Sequence, residues 1–209
     1  SVITPLDQQQ VRTSLSQARS QGATACAIAL MHGWSHEAHE QKIATIARDI
    51  GFEEVVASHE ICPIQGLLAR SQTTLIDAML TPPLWASIAK LQGALPRACL
   101  EFMQSSGGLT DSDGFRGARA VLSGPAGGIV ASASLVEEGQ RIVTFDMGGT
   151  STDVAWYQGR LERTWSTRIE GLRLRVPMLE IDSIAAGGGS VCRFDGERLR
   201  VGPQSAGSD

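Results

Sequence analysis

The chain has no C-x-x-C pair, no cluster of lysine and arginine, no long apolar run and none of the common nucleotide loops. Its four cysteines, Cys26, Cys62, Cys99 and Cys192, are widely spaced, which speaks against a disulfide frame or zinc site and for reduced, buried thiols in a cytoplasmic protein. A net charge of -4 without a basic face gives nucleic-acid binding no support. No apolar run approaches the ~18 residues that mark a transmembrane helix. No Gly-Lys-Ser/Thr completes a Walker loop and no G-x-G-x-x-G opens a helix. What is present suits a soluble globular protein: 209 residues, 42% hydrophobic and 19% charged, enough for one large or two small domains.

The chemistry concentrates in Ile142–Asp153, IVTFDMGGTSTD. A β run, Ile142–Phe145, ends in the carboxylate Asp146; Gly148 and Gly149 follow, then the hydroxyls Thr150, Ser151 and Thr152; Asp153 opens a second β run, Val154–Tyr157. The glycines allow positive φ and close approach of backbone to a ligand. Consecutive N–H groups in such a turn form an anion-binding concavity, and a carboxylate at each end could hold a divalent cation that takes oxygen ligands beside phosphate. An ordinary Gly-Gly hairpin is the plainer alternative. Either way the connection is too short for a parallel crossover, so the two strands should be antiparallel neighbours.

Upstream, spacing predicts helices at Pro5–Ser20 and His36–Ile50, a buried strand at Ala23–Met31 and a short strand at Glu54–Ala57. That order implies an α/β layer with parallel strands. His32, His36 and His39, with Glu37 and Glu40, allow a metal site on one helix face, though HEAH is one residue short of H-E-x-x-H; a solvated helix start is the alternative. Ser71–Leu80 and Pro83–Leu91 read as two helices broken at Pro82-Pro83, and Arg97–Gln104 as a buried strand. VLSGPAGG at Val121–Gly128 leads into a small-residue helix, Gly127–Glu138, with Ser123 as its cap. Its start could take an anion or pack against the central strand. The remainder is β-rich, with turns at Gln158-Gly159, Glu170-Gly171 and, in a strong hairpin signal, Asp195-Gly196. Gly187-Gly188-Gly189 should mark close approach of backbone to a ligand or to another element. The last residues, GPQSAGSD, are expected to be a cut rather than a natural end.

LMHGWSHEAHEQ (Leu30–Gln41), LSGPAGG (Leu122–Gly128), FDMGGTSTDVA (Phe145–Ala155), AAGGGS (Ala185–Ser190) and VGPQSAG (Val201–Gly207) together resemble the hydantoinase A / 5-oxoprolinase family, the oxoprolinase branch most closely. The resemblance implies an internal piece of a longer chain. The implied fold is α/β, a ribonuclease-H-like ATPase of the actin/Hsp70/sugar-kinase type, incomplete here. Residues 1–140 would be the α/β part and 141–209 a β-rich second-lobe part. It further implies ATP and Mg²⁺, a cyclic amide substrate, a hydantoinase B-type partner and a homo-oligomer in the intact protein. Gly148, Gly149, Thr150, Ser151 and Thr152 would face phosphate, and Gly187, Gly188, Gly189 and Ser190 the nucleotide's other side. Asp146 would be catalytic, and Asp146 and Asp153 would hold Mg²⁺ or its waters. The activity implied is ATP-dependent opening of 5-oxoproline to glutamate; a related hydantoinase or ketone carboxylase, or a non-catalytic scaffold, are the alternatives. Two departures stand out. The family's additional Asp-Gly-Gly-Thr loop does not precede Ile142, and Gly66–Ala69 reads GLLA where the family tends to carry charge.

Overall fold

The computed structural model describes residues 4–137, 139–169 and 171–207. In chain order the elements begin with α1 (Gln8–Ser20), β1 (Ala25–Ile28), α2 (Ala38–Ile50), β2 (Glu54–Ala57), α3 (Ser58–Ile61), α4 (Leu67–Ala94), β3 (Phe102–Met103), β4 (Leu109–Thr110) and α5 (Gly117–Ala120). They continue with α6 (Ser123–Ser134), β5 (Ile142–Met147), β6 (Thr152–Tyr157), β7 (Arg163–Thr164), β8 (Thr167–Ile169), β9 (Leu172–Leu174), β10 (Met178–Leu179), β11 (Asp182–Ile184), β12 (Ser190–Phe194) and β13 (Leu199–Ser205). Two compact units share them, each assembled from separate stretches of chain.

The first unit takes residues 1–102, 110–121 and 165–177. Its centre is the parallel pair β1–β2, in register from Ala25↔Glu54 to Ile28↔Ala57, with α2 and α4 packed on it. The α/β expectation therefore holds. The two-helix expectation for 71–91 does not: α4 runs unbroken through Pro82 and Pro83. Proline in a helix interior costs about 3 kcal/mol or more, because it removes an N–H and clashes with the preceding turn. Burial outweighs that here. Thr73, Thr74, Asp77, Ala78 and Thr81 are all buried, and α4 packs on β1, β2, α5 and β9. The Gly117 N–H donates to Thr81 Oγ1 at 3.0 Å, and a Cβ on Gly117 would stand 2.6 Å from Leu80 Cβ.

Glu40 is fully buried, which the reading of a solvated helix start did not anticipate. Its Oε1 accepts from Leu30 N–H at 2.8 Å and Ser58 Oγ at 2.6 Å; Oε2 accepts from His59 N–H at 3.0 Å and lies 2.7 Å from His59 Nδ1. Burial alone would raise this carboxyl's pKa, but the bonds from Ser58, Leu30 and His59 outweigh it and hold it below its ordinary value. Arg70, also fully buried, donates to Ser58 Oγ and to the carbonyls of Leu30, Met31 and Ile64. Among the described residues no three His, Cys, Asp or Glu converge as a metal ion would require, so His32, His36 and His39 form no such site.

The second unit takes residues 103–109, 122–164 and 178–209. Its antiparallel sheet has the order β11-β6-β5, and α6 packs on it through a core of Ala126, Ile129, Ala155 and Leu179. Helix α6 starts at Ser123, earlier than expected; Leu122, at φ 59°, precedes it, and no side chain caps it. The expected end of that helix, Glu138, and Glu170 of the expected Glu170-Gly171 turn lie outside the described residues. Of the expected strand at Arg97–Gln104 only Phe102–Met103 forms; its earlier apolar residues are exposed or half-buried and have no strand partner among the described residues. The hairpin β12–β13 closes over Asp195-Gly196 as its sequence foretold, with Phe194 opposite Leu199.

Candidate functional site

β5 and β6 are antiparallel neighbours from Ile142↔Tyr157 to Met147↔Thr152, so the turn between them is Gly148–Ser151. The strands are longer than the sequence suggested, and both carboxylates sit inside them. Asp146 lies directly opposite Asp153, and Thr144 opposite Ala155. Directly opposed residues share a sheet face. Ala155 on that face is in the core under α6, so the two carboxylates also lie on the α6 side. There a cavity of about 220 Å³ is lined by Pro125, Gly128, Ser132, Thr144, Asp146 and Asp153, among others. A Cβ on Gly128 would stand 3.6 Å from Asp146 Oδ2, so the small residues of α6 let the helix approach the carboxylate. Asp153 Oδ1 accepts a hydrogen bond from Ser183 Oγ on β11. Like charges placed directly opposite each other destabilise a sheet. Two carboxylates facing a cavity are a donor set a Mg²⁺ ion can take when water and phosphate complete its shell.

The turn is held from the other direction by the triple-glycine segment. Gly188 N–H donates to Gly148 O at 2.9 Å, and Gly189 N–H to Gly149 O at 2.7 Å. A Cβ on Gly187 would lie 2.6 Å from both Gly148 O and Thr150 N, so only glycine allows this backbone-on-backbone contact. Thr152, expected in the turn, is instead buried in β6, where its hydroxyl donates to Ala186 O at 2.6 Å. Ser190 closes the segment on itself: its Oγ accepts from Gly187 N–H at 2.8 Å. The carbonyls of Gly148, Gly149 and Ser151 are thus occupied, the last by the Gly148 N–H at 2.9 Å. Among the described residues none accepts a hydrogen bond from the N–H groups of Gly149, Thr150 or Ser151. Consecutive unpartnered amides at an exposed glycine turn are what an anion-binding concavity requires.

The sequence placed Asp146, Asp153 and the Gly148–Ser151 turn on one hairpin, and the structure does the same. Sequence reasoning assigned no role to Ser183 or Ala186, the residues that tie the hairpin to its neighbours; Ser183 carries no signal in the sequence, and Ala186 lies in the AAGGGS motif, whose glycines carry the pattern. The small-residue run at Gly127-Gly128 was a usable signal for the close approach of α6.

A model of the hydantoinase/oxoprolinase family matches residues 70–209, and a model of that family's N-terminal region matches residues 1–51. The chain belongs to the hydantoinase/oxoprolinase family. It is 38% identical to the 5-oxoprolinase of Saccharomyces cerevisiae over 100% of its own length, but spans only 17% of that relative. Among solved structures of related proteins, an ATP-dependent acetone carboxylase in nucleotide-free form superposes with a TM-score of 0.81 at 26% identity, over 97% of this chain and 31% of the other. The ATP-dependent caprolactamase of Pseudomonas jessenii superposes with a TM-score of 0.79 at 29% identity, over 100% of this chain and 32% of the other. No helix among the described residues is long and apolar enough to cross a membrane.

Proposed function

We propose that this chain is part of a cytoplasmic, ATP-dependent 5-oxoprolinase that opens 5-oxoproline to glutamate. In this reading the hairpin β5–β6 is the second-lobe phosphate loop of a ribonuclease-H-like ATPase of the actin/Hsp70/sugar-kinase type, carried by the segment 141–209. The observation that carries the reading is the Gly148–Ser151 turn, with three amides that meet no acceptor among the described residues, fixed by the Gly187–Gly189 backbone beside an opposed pair of carboxylates. The likeness to 5-oxoprolinases supports the substrate.

A five-membered lactam is a poor electrophile, and its carbonyl oxygen is a poor leaving group. ATP, when bound, supplies the phosphoryl group that turns this oxygen into a good one. The protein's part is positioning and charge neutralisation. Gly149, Thr150 and Ser151 bind phosphate oxygens through main-chain N–H and hydroxyl groups, while the Gly148 N–H, donated to Ser151 O at 2.9 Å, closes the turn. Asp146 and Asp153 hold Mg²⁺ or its waters, and Asp146 orients the attacking group. Gly187–Ser190 hold the turn in place and border the nucleotide. A second phosphate loop, a hydantoinase B-type partner and a homo-oligomeric assembly belong to the intact protein. The likeness to a caprolactamase and an acetone carboxylase keeps a related carbonyl substrate as the second reading.

The test is ATP hydrolysis by the full-length protein with 5-oxoproline, hydantoin, caprolactam or acetone. Stimulation by 5-oxoproline above the others supports the reading. Stimulation only by another compound replaces the substrate, and none by any of them rejects it.

A further inference from the structure

The first unit carries a second hairpin, β8–β9, whose sequence alternates strictly. Leu172, Leu174 and Val176 fall on one side, with Leu174 and Val176 buried; Arg173 and Arg175 fall on the other. On β8, Arg168 lies directly opposite Arg173. Two arginines thereby share one face at directly opposed positions, an arrangement that weakens a sheet. Among the described residues, none of Arg168, Arg173 and Arg175 is within ion-pair distance of a carboxylate. Elsewhere in the same unit Arg116 reaches both Asp77 and Glu54 at 2.6 Å, so acids are available to arginines that serve structure.

The backbone of this strand is anchored. Arg173 N–H donates to Gln72 Oε1 at 3.1 Å, and Arg175 N–H to Thr73 Oγ1 at 2.9 Å, both on α4. The Nε of Arg175 is buried and has no acceptor among the described residues. The three arginines line one cavity of about 370 Å³ with Ser166, Thr167 and Ala69. A bare ion would leave most of that volume empty; a small molecule with an anionic end would use it.

We infer that Arg168, Arg173 and Arg175 form a binding site for the carboxylate of a small-molecule substrate. The inference rests on the reading above, and it separates that substrate from the relatives' substrates. 5-Oxoproline carries a ring carboxylate; caprolactam and acetone carry none. Guanidinium forks match a carboxylate bidentately, which gives orientation as well as affinity. The site would therefore select the acid over its neutral ring.

The full-length protein tests this. The measurements are KM and kcat for 5-oxoproline, KM for ATP, and calorimetric binding of 5-oxoproline, of 2-pyrrolidinone (the same ring without the carboxylate) and of inorganic phosphate. They are made on wild type, Arg173→Gln, Arg173→Lys and the double variant Arg168→Gln/Arg173→Gln. Both side chains are exposed, so these variants should fold, which the thermal midpoint verifies. The expected result is a rise of about tenfold or more in KM and Kd for 5-oxoproline, with kcat within about twofold, partial rescue by lysine, and unchanged 2-pyrrolidinone binding. Unchanged 5-oxoproline affinity in the double variant overturns the inference. So does a rise confined to the KM for ATP, which would put a nucleotide phosphate in the cavity instead. If wild type hydrolyses no ATP with 5-oxoproline, the functional reading falls by itself. The cavity is then judged on inorganic phosphate: binding lost in the double variant keeps an oxyanion site, and binding equal in both overturns it.

Discussion

Two hairpins in this chain, one in each unit, set like charges directly opposite each other, with opposite sign in the two and no ion pair to answer them among the described residues; a third such pair, Arg193 and Arg200 in β12–β13, is answered by Asp195, which pairs with Arg200. In β5–β6 the pair is Asp146 and Asp153; in β8–β9 it is Arg168 and Arg173. Each pair works against its own sheet. Each lines a cavity, one of about 220 Å³ and the other of about 370 Å³. They differ in support. The acidic hairpin turns on glycines that a second glycine segment clasps by main-chain bonds, whereas the basic one leans on α4 through Gln72 and Thr73. In the proposed reading each conflict is met by a ligand of the opposite sign: a cation with phosphate in the first case, a carboxylate in the second.

The comparison breaks most visibly at Asp146. Asp146→Asn in the full-length protein keeps the shape and removes the charge, so turnover should fall by about 10²–10³, roughly 3–4 kcal/mol in barrier. The thermal midpoint should hold or rise, because a like-charge conflict has been relieved. Near-normal turnover with a clearly lower midpoint would make Asp146 a structural residue. Next in size is Gly187→Ala. Its Cβ would press on the turn at 2.6 Å, and a loss of about 1–3 kcal/mol in stability is expected, together with a higher KM for ATP. Gly149→Ala provides the contrast, since a Cβ there meets nothing within 4 Å. Its stability should stay within about 0.5 kcal/mol, while nucleotide affinity falls because the Cβ stands where phosphate approaches. Equal behaviour of the two variants would mean that the turn is only a packing element. The smallest effect belongs to Arg173→Glu, which converts the basic conflict into a cross-strand ion pair with Arg168. Chemical denaturation should show a gain of about 0.2–1 kcal/mol, with 5-oxoproline affinity lost. A loss of stability there would show that Arg168 and Arg173 are not in conflict.

The acidic hairpin was legible because its signals are local. Glycine pairs, turn hydroxyls and β-branched flanks all lie within the Ile142–Tyr157 stretch, and the antiparallel pairing follows from loop length alone. The first four elements, α1 to β2, were legible for the same reason, through periodicity. What failed depended on distant partners. Pro82 and Pro83 signal a break, yet α4 continues because its flanks are buried against β1, β2 and α5. Glu40 looks like a first-turn surface acid, and only the fold brings Ser58 and His59 to it. The alternation of Leu172–Val176 is local, with Leu174 and Val176 buried and Arg173 exposed. That Arg168 faces Arg173 is a matter of register, which no single strand reveals.

The most direct test of the central claim is a crystal structure of the full-length protein with Mg²⁺ and a non-hydrolysable ATP analogue. The account expects a phosphate oxygen within about 2.7–3.2 Å of the N–H groups of Gly149, Thr150 or Ser151, with Asp146 and Asp153 on the metal or its waters. An analogue bound with its phosphates elsewhere, and the Gly148–Ser151 turn facing only solvent, would contradict it.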